Sequence, residues 1–300
     1  MQGMLEACQL CPRGCRVNRT KGEKGYCRQT SEVMIARAAL HLWEEPCLTG
    51  ENGSGTLFFS GCTLGCVYCQ NRSIATSKVG KVISITRLVE IFFELKAQGA
   101  HNINLVTGTH FIPQIVEALQ LAKDKGLELP IVYNTSGYEK VESLQLLRGY
   151  VDIYLPDLKY KDEILSTRYS YAKDYFEYAS KAIAEMVSQV GMPTFDEGTG
   201  LMKKGVMVRH LCLPGAAKDT KAILRYLYQT YGDTIYMSIM NQFTPICDLQ
   251  AYPEINRRLT EREYNHLIDY ALDLGIEQAF IQEGETAKES FIPEFDLQGV

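Results

Sequence analysis

Residues 56–71 read TLFFSGCTLGCVYCQN, a short apolar run that breaks at Ser60-Gly61 into three cysteines, Cys62, Cys66 and Cys69. The run has the aromatic and aliphatic content of a buried strand and ends on a turn signal. The C-x3-C-x2-C spacing packs three thiols into eight residues of loop, close enough to converge on one metal centre. A structural zinc or a closed iron–sulfur cubane normally takes four protein ligands. Three ligands from one tight loop imply a cubane with one iron left open to a small molecule, which is what a reactive metal site requires. Gly61 and Gly65 give the backbone freedom to wrap.

Further along, short apolar runs alternate with longer amphipathic segments. The candidate strands are Thr56–Ser60, Asn102–Val106, Ile131–Asn134, Asp152–Leu155, Val206–His210, Ile235–Ile239 and Gln278–Gln282. Helical periodicity falls at Ile85–Gln98 with Thr86 as N-cap, Ile112–Lys125 with Pro113 in its first turn, Val141–Arg148, Tyr175–Val190, Thr220–Tyr231 and Thr260–Leu274. Residues 159–204 read as a long crossover with a helix of its own and a Gly/Pro-containing end at 191–200. Alternation repeated about six times predicts an α/β fold with a parallel sheet, either open and doubly wound or a full or partial barrel. In such architectures ligands gather at the C-terminal strand ends. The polar residues there are Thr107–His110, Asn134–Gly137, Asp157 with Lys159, Arg209 with His210, Asn241 with Gln242, and Glu283.

Residues 1–45 differ: they are rich in cysteine, glycine and basic side chains, and show neither helical nor strand periodicity. We expect a small metal-knit appendage there, with the α/β domain over residues 46–300. Cys8, Cys11, Cys15 and Cys27 supply four thiolates, a full set for Zn²⁺ or for a second Fe–S cluster, and Pro12, Gly14, Gly22 and Gly25 supply the tight turns. Cys47 lies outside both spacings and is expected to be unliganded. Cys212 and Cys247 read as buried small hydrophobes, with Cys247 near enough to a strand end to face a cavity.

With 46% hydrophobic and 22% charged residues, the chain can bury a real core, so disorder is excluded as the default. A net charge of −5 without a Lys/Arg-rich run argues against nucleic acid as a partner. No apolar stretch approaches the roughly 20 residues of a membrane span, and no signal-peptide core is visible, so a cytoplasmic location is expected. Seven of the ten cysteines are clustered, and in a reducing compartment cysteines at such short spacings bind metals or do chemistry more often than they pair.

The Cys62–Cys69 spacing, with Tyr68 immediately before the last cysteine and a strand before the first, resembles the radical SAM signature. The resemblance implies a partial (β/α)6 barrel and a [4Fe–4S] cluster whose open iron is chelated by S-adenosylmethionine. It further implies reductive cleavage of that molecule to a 5′-deoxyadenosyl radical, with Tyr68 and Asn71 near the cofactor and flavodoxin or ferredoxin as the kind of reductant. The stretches Asn104–His110, Tyr133–Gly137, Tyr154–Lys159, Val208–Gly215 and Ser238–Pro245 resemble the pyruvate formate-lyase-activating-enzyme-like (PflX-type) branch. Where that family carries a Gly-Gly-Glu-Pro motif for the S-adenosylmethionine amino group, this chain has Thr107-Gly108-Thr109-His110 and lacks the carboxylate. The Asp-Thr pair of glycyl-radical activating enzymes becomes Asn134-Thr135, whereas their Asp-x-Lys is matched by Asp157 and Lys159. Arg209 resembles a basic residue near S-adenosylmethionine. His110 and His210 are candidate proton carriers, although radical initiation needs none.

Three functions follow as alternatives: activation of a glycyl-radical partner protein, radical modification of a small molecule or another peptide, or a non-catalytic Fe–S electron-transfer or metal-binding module. A carrier would be expected to close its cluster with a fourth cysteine, and the 62–69 loop provides none.

Overall fold

The computed structural model describes residues 3–246, 248–282 and 292–300. Ten strands form one sheet: β1 (Val33–His41), β2 (Ser54–Phe59), β3 (Lys81–Ile83), β4 (Ile103–Val106), β5 (Ile131–Thr135), β6 (Ile153–Pro156), β7 (Thr194–Phe195), β8 (Met202–Leu211), β9 (Tyr236–Met240) and β10 (Ala279–Ile281). The order is β10-β9-β8-β6-β5-β4-β2-β1-β3, with β7 paired to β8. From β2 to β10 every ladder along this path is parallel. A parallel neighbour cannot be reached by a hairpin, so helices Ile85–Ala97, Ile112–Asp124, Val141–Gln145, Tyr175–Val190, Ala217–Tyr231 and Glu261–Asp273 carry the crossovers. The sheet is open, and the predicted α/β parallel architecture stands.

All seven expected strands are present within about two residues, except that β8 begins four residues earlier than expected. Alternation along each strand then assigns its two faces. Leu57, Leu105, Tyr133, Tyr154 and Val208 join the helix-facing core, while Val132, Ile153, Leu155 and Met207 form a second cluster on the other face with Cys47 and Leu48. Asn104, level with Val132, and further toward the strand ends Asn134 and Arg209, occupy that same inner face. They meet there through carboxylates of the β1–β2 connection.

Two expectations are corrected. Residues 33–41 are a strand of the main sheet rather than part of a non-periodic appendage. Their Ala-rich sequence, VMIARAALH, hides the strand, and a register shift between Ile35 and Arg37 breaks the period of two. The cap of the first long helix is Ser84, whose hydroxyl accepts from the Arg87 amide at 3.1 Å, so Thr86 lies inside the first turn. Beyond its short pairing with β3, the outer edge of β1 is met by residues near 300: the Ala38 amide donates to the Gln298 carbonyl at 2.9 Å, and the Leu297 amide to that of Ala36 at 3.2 Å. Among the described residues no helix is long and apolar enough to cross a membrane.

Ser84→Ala removes one cap from an amphipathic helix that buries Leu88, Ile91, Phe92 and Leu95. Chemical denaturation should show a loss of about 1 kcal/mol with an unchanged m-value.

Candidate functional site

β2 delivers the chain into the cysteine loop at the C-terminal edge of the sheet. Gly61 (φ +89°) and Gly65 (φ +76°) take left-handed conformations, and both are crowded from outside. A Cβ on Gly61 would fall 2.6 Å from the Cys27 carbonyl oxygen, and one on Gly65 would fall 2.6 Å from the Tyr26 hydroxyl. The loop is therefore shaped by the N-terminal segment as much as by its own sequence. Arg13 continues that contact: its guanidinium donates to the carbonyls of Thr63 (2.9 Å), Leu64 (2.8 Å), Ser170 (3.0 Å) and Tyr171 (2.5 Å), and stacks 3.9 Å over the Tyr26 ring.

Cys62, Cys66 and Cys69 line one wall of a cavity of about 1400 Å³, its open mouth included. Facing them are Asn134, Asp157, Lys159, Arg209 and Glu44, with Tyr68, Asn71 and Thr107 on the same lining. Lys159 Nζ donates to Asp157 Oδ2 at 2.6 Å. Burial works against its charge, yet Asp157 and the neighbouring Cys66 and Cys69 outweigh it and hold the ammonium charged. Burial in turn pushes the thiols of Cys66 and Cys69 up, while the Lys159 charge draws both down, toward the thiolate that ligation needs. The Ser170 hydroxyl donates to Cys66 Sγ at 3.0 Å. It also bonds Tyr160 (2.8 Å), which bonds Tyr68 (2.6 Å), so Tyr68 is fixed through a hydroxyl chain that ends on sulfur.

The opposite wall is a buried charge cluster. Arg209 binds Glu45 through both carboxylate oxygens (2.9 and 2.6 Å) and also binds Glu44. Burial pushes the Glu45 carboxyl up, and the Arg209 guanidinium overrides it, leaving Glu45 below the ordinary carboxylate range. Glu44 Oε1 also accepts from the amides of Asn104 (3.2 Å) and Asn134 (3.4 Å). Two carboxylates against one guanidinium leave this wall with an excess negative charge.

Residues 56–204 match the radical SAM superfamily. An uncharacterized protein of Methanocaldococcus jannaschii is 30% identical over 285 residues, covering 91% of this chain and 78% of its own length. The chain belongs to the radical SAM superfamily. Among solved structures, HydG, a maturase of the [FeFe]-hydrogenase, aligns with a TM-score of 0.52 at 14% identity over 77% of this chain. Streptococcus suis SuiB bound to precursor peptide SuiA aligns with a TM-score of 0.51 at 11% identity over 75%. Methylornithine synthase (PylB) aligns at 0.50 and 17% identity over 73%. These three share the fold, and the chain spans 52%, 47% and 60% of their respective lengths. Superfamily membership implies a [4Fe–4S] cluster and S-adenosylmethionine. The donor set fits: three free thiols share one cavity wall, and no fourth cysteine stands among the lining residues.

Not every expected radical SAM site residue reaches the cavity. Thr109 is buried away from it and donates to Glu139 Oε1 at 2.6 Å. Thr135 lies on the lining, but its hydroxyl is also committed to Glu139. His110 and His210 lie outside the lining. His110 Nε2 bonds the Ser60 carbonyl at 2.8 Å, and His210 bonds Leu158 O and Thr220 Oγ1. Burial drives their pKa values down to about 3 and about 4, so both are neutral structural imidazoles rather than proton carriers. Cys47 and Cys212 are buried among apolar side chains, and Cys247 and Glu283 lie outside the described residues.

Sequence reasoning missed Glu44, Glu45 and Glu139. The paired acids of Trp43-Glu-Glu-Pro46 directly after a strand were the available signal for the first two, and it vanished with the unrecognised β1. Glu139 accepts from Thr109, Thr135 and, at 3.3 Å, Tyr133, while its Oε2 has no partner among the described residues. Burial pushes its carboxyl up from 4.5 to about 7, against the lowering effect of these donors. A folded-state value above the unfolded one stabilises fully below about 4.5, and that stability is lost as pH rises through about 7, a cost levelling off at roughly 3 kcal/mol. The tyrosines facing it, Tyr133 and Tyr154, both ionise at higher pH. Glu139→Gln should therefore flatten the fall in melting temperature between pH 5 and 8; an unchanged slope in differential scanning calorimetry would refute this account.

Proposed function

We propose that the cavity binds S-adenosylmethionine beside a [4Fe–4S] cluster held by Cys62, Cys66 and Cys69, and that the protein activates a partner protein by hydrogen abstraction. The observation that carries the first half is the placement of three cysteine thiols and the carboxylates of Glu44 and Asp157 on the lining of one cavity. When bound, the cluster supplies one electron to the sulfonium and so breaks a C–S bond. The rest is the work of side chains. Lys159 offsets part of the burial that raises the Cys66 and Cys69 thiols, and so lowers the cost of the thiolates that ligation needs. Glu44 offers a carboxylate to the S-adenosylmethionine ammonium, replacing the acid missing from the Thr107–His110 stretch. Asn104 and Asn134 hold that carboxylate in place, and Arg209 is neutralised by Glu44 and Glu45, so it does not repel a sulfonium. Tyr68 and Asn71 lie where the nucleoside would rest, and Thr107 offers hydroxyl and backbone acceptors at the same edge.

The second half, a glycyl-radical partner fed by flavodoxin or ferredoxin, is supported by the Asp157-Leu-Lys159 resemblance. A competing reading, modification of a small molecule or another peptide, is favoured by Asn134 standing where activating enzymes carry an acid. Anaerobic reconstitution, dithionite reduction and addition of S-adenosylmethionine should release 5′-deoxyadenosine; yield no higher than that of a Cys62→Ala/Cys66→Ala/Cys69→Ala variant would sink the enzymatic reading. Incubation with candidate glycyl-radical proteins, followed by EPR, should show a glycine-centred doublet, and silence across candidates moves the assignment to the competing reading. Glu44→Gln should raise the KM for S-adenosylmethionine roughly 10-fold or more, the value of a charge-assisted hydrogen bond, with a smaller effect on kcat.

A further inference from the structure

Residues 3–32 hold a defined shape with little to hold it. They contain one short helix (Gly3–Glu6), one 3-10 turn (Arg19–Lys21) and a small apolar cluster of Leu5, Cys8, Leu10 and Val17. Fixing each backbone residue costs on the order of 1–2 kcal/mol, and four apolar side chains cannot offset about thirty such terms. Segments this poor in core are usually stapled by disulfides or metal. Cys8, Cys11, Cys15 and Cys27 are all free thiols.

Four observations point to a metal group at these sulfurs. The backbone carries the thiols together: the Arg16 amide donates to the Cys8 carbonyl at 2.8 Å and the Gly14 amide to that of Cys11 at 3.1 Å, so Cys8, Cys11 and Cys15 share one turn, and the Tyr26 amide next to Cys27 reaches Cys15 Sγ. Donors are turned toward sulfur, with the Tyr26 amide 3.3 Å from Cys15 Sγ and Arg19 Nη1 3.8 Å from Cys8 Sγ. Gly25 leaves space for this packing, since a Cβ there would sit 2.8 Å from Cys15 Sγ. Finally, Arg19 is a cation only 1% exposed whose other partners are the carbonyls of Thr30 and His110; among the described residues no carboxylate pairs with it. A buried guanidinium needs a compensating negative charge, and a set of thiolates beside Cys8 provides one.

The spacing selects the kind of metal group. Among the described residues no three Cys, His, Asp or Glu side chains stand close enough to share one ion. A zinc draws all four sulfurs to about 2.3 Å from a single centre. A cubane takes one thiolate at each of four irons, so its ligands stand farther apart. Cys62, Cys66 and Cys69, the three thiols of the radical SAM loop, likewise do not meet at one ion.

We propose that Cys8, Cys11, Cys15 and Cys27 bind a second, four-thiolate [4Fe–4S] cluster, and that this cluster braces the Cys62–Cys69 loop. The bracing contacts are those of Arg13 with Thr63 and Leu64, Tyr26 Oη with the Leu64 carbonyl (3.1 Å), and the Cys27 carbonyl with Gly61. The proposal is independent of what the cavity acts on, and its test does not read activity.

The full chain is reconstituted anaerobically with ferrous iron and sulfide in the presence of equimolar zinc. Wild type should hold about eight irons and eight sulfides per chain, and the Cys62→Ala/Cys66→Ala/Cys69→Ala variant about four of each. EPR of that reduced variant should not change on adding S-adenosylmethionine. One zinc without sulfide in the variant overturns the cluster, and no metal at all overturns the site. In Cys8→Ala/Cys27→Ala, amide hydrogen exchange across residues 61–69 should rise at least several-fold; unchanged exchange overturns the brace. Should that variant fail to fold, the loop variant's metal content still decides the site, and exchange of the same amides in Arg13→Ala decides the brace.

Discussion

The Arg13 guanidinium joins three stretches that lie far apart in sequence, and the reactive loop takes its shape between them. It donates to carbonyls of the cysteine loop at Thr63 and Leu64 and to Ser170 and Tyr171 at the end of the helix Glu163–Ser170. Buried carbonyls need a donor; Arg13 supplies one to each of these, and Tyr26 Oη adds a second to Leu64 at 3.1 Å. Ser170, held by its carbonyl, turns its hydroxyl to Cys66 and Tyr160. One side chain thus sets the outer surface of the loop, and through Ser170 part of its inner surface as well.

The sheet sets the rest. Parallel strands buried on both faces read as continuous apolar runs, and their inner-face positions stay inconspicuous until a polar residue falls on one. Asn104, Asn134 and Arg209 are such residues: Asn104 pairs with inner-face Val132, Asn134 lies two positions beyond Val132, and Arg209 two beyond Met207. None has a partner on its own strand. They are reconciled by Glu44 and Glu45, brought in by the antiparallel pairing of β1 with β2.

The fold was legible because its signals are periodic and local. Strands β2, β4, β5, β6, β8, β9 and β10, and the long helices between them, announce themselves by apolar spacing. The cysteine loop was legible from spacing alone, because three thiols within eight residues have few other uses. What stayed hidden depends on contacts at long range. β1 is disguised by alanines and a bulge. Thr109 looked like a ligand-facing hydroxyl because its engagement with Glu139 spans thirty residues. Arg209 read as a basic residue near S-adenosylmethionine because its two acids sit more than 160 positions earlier. For Thr109 and Arg209 the strand end itself was legible, and packing decided which way the side chain was spent.

The segment that pairs with the outer edge of β1 has a consequence for how the molecule behaves among its copies. An uncovered strand edge is a template for another chain, and β1 pairs with β3 only over Val33–Ile35. Leu297 and Gln298 occupy the adjoining hydrogen-bonding positions at Ala36 and Ala38, and Arg37 ties the same segment through Asp296 at 2.8 Å. Gly299 lies so close to the Ala38 carbonyl that no side chain fits there. Loss of residues 294–300 alone would leave the strands from β2 to β10 paired as before while freeing the β1 edge, so its first symptom would be self-association rather than unfolding.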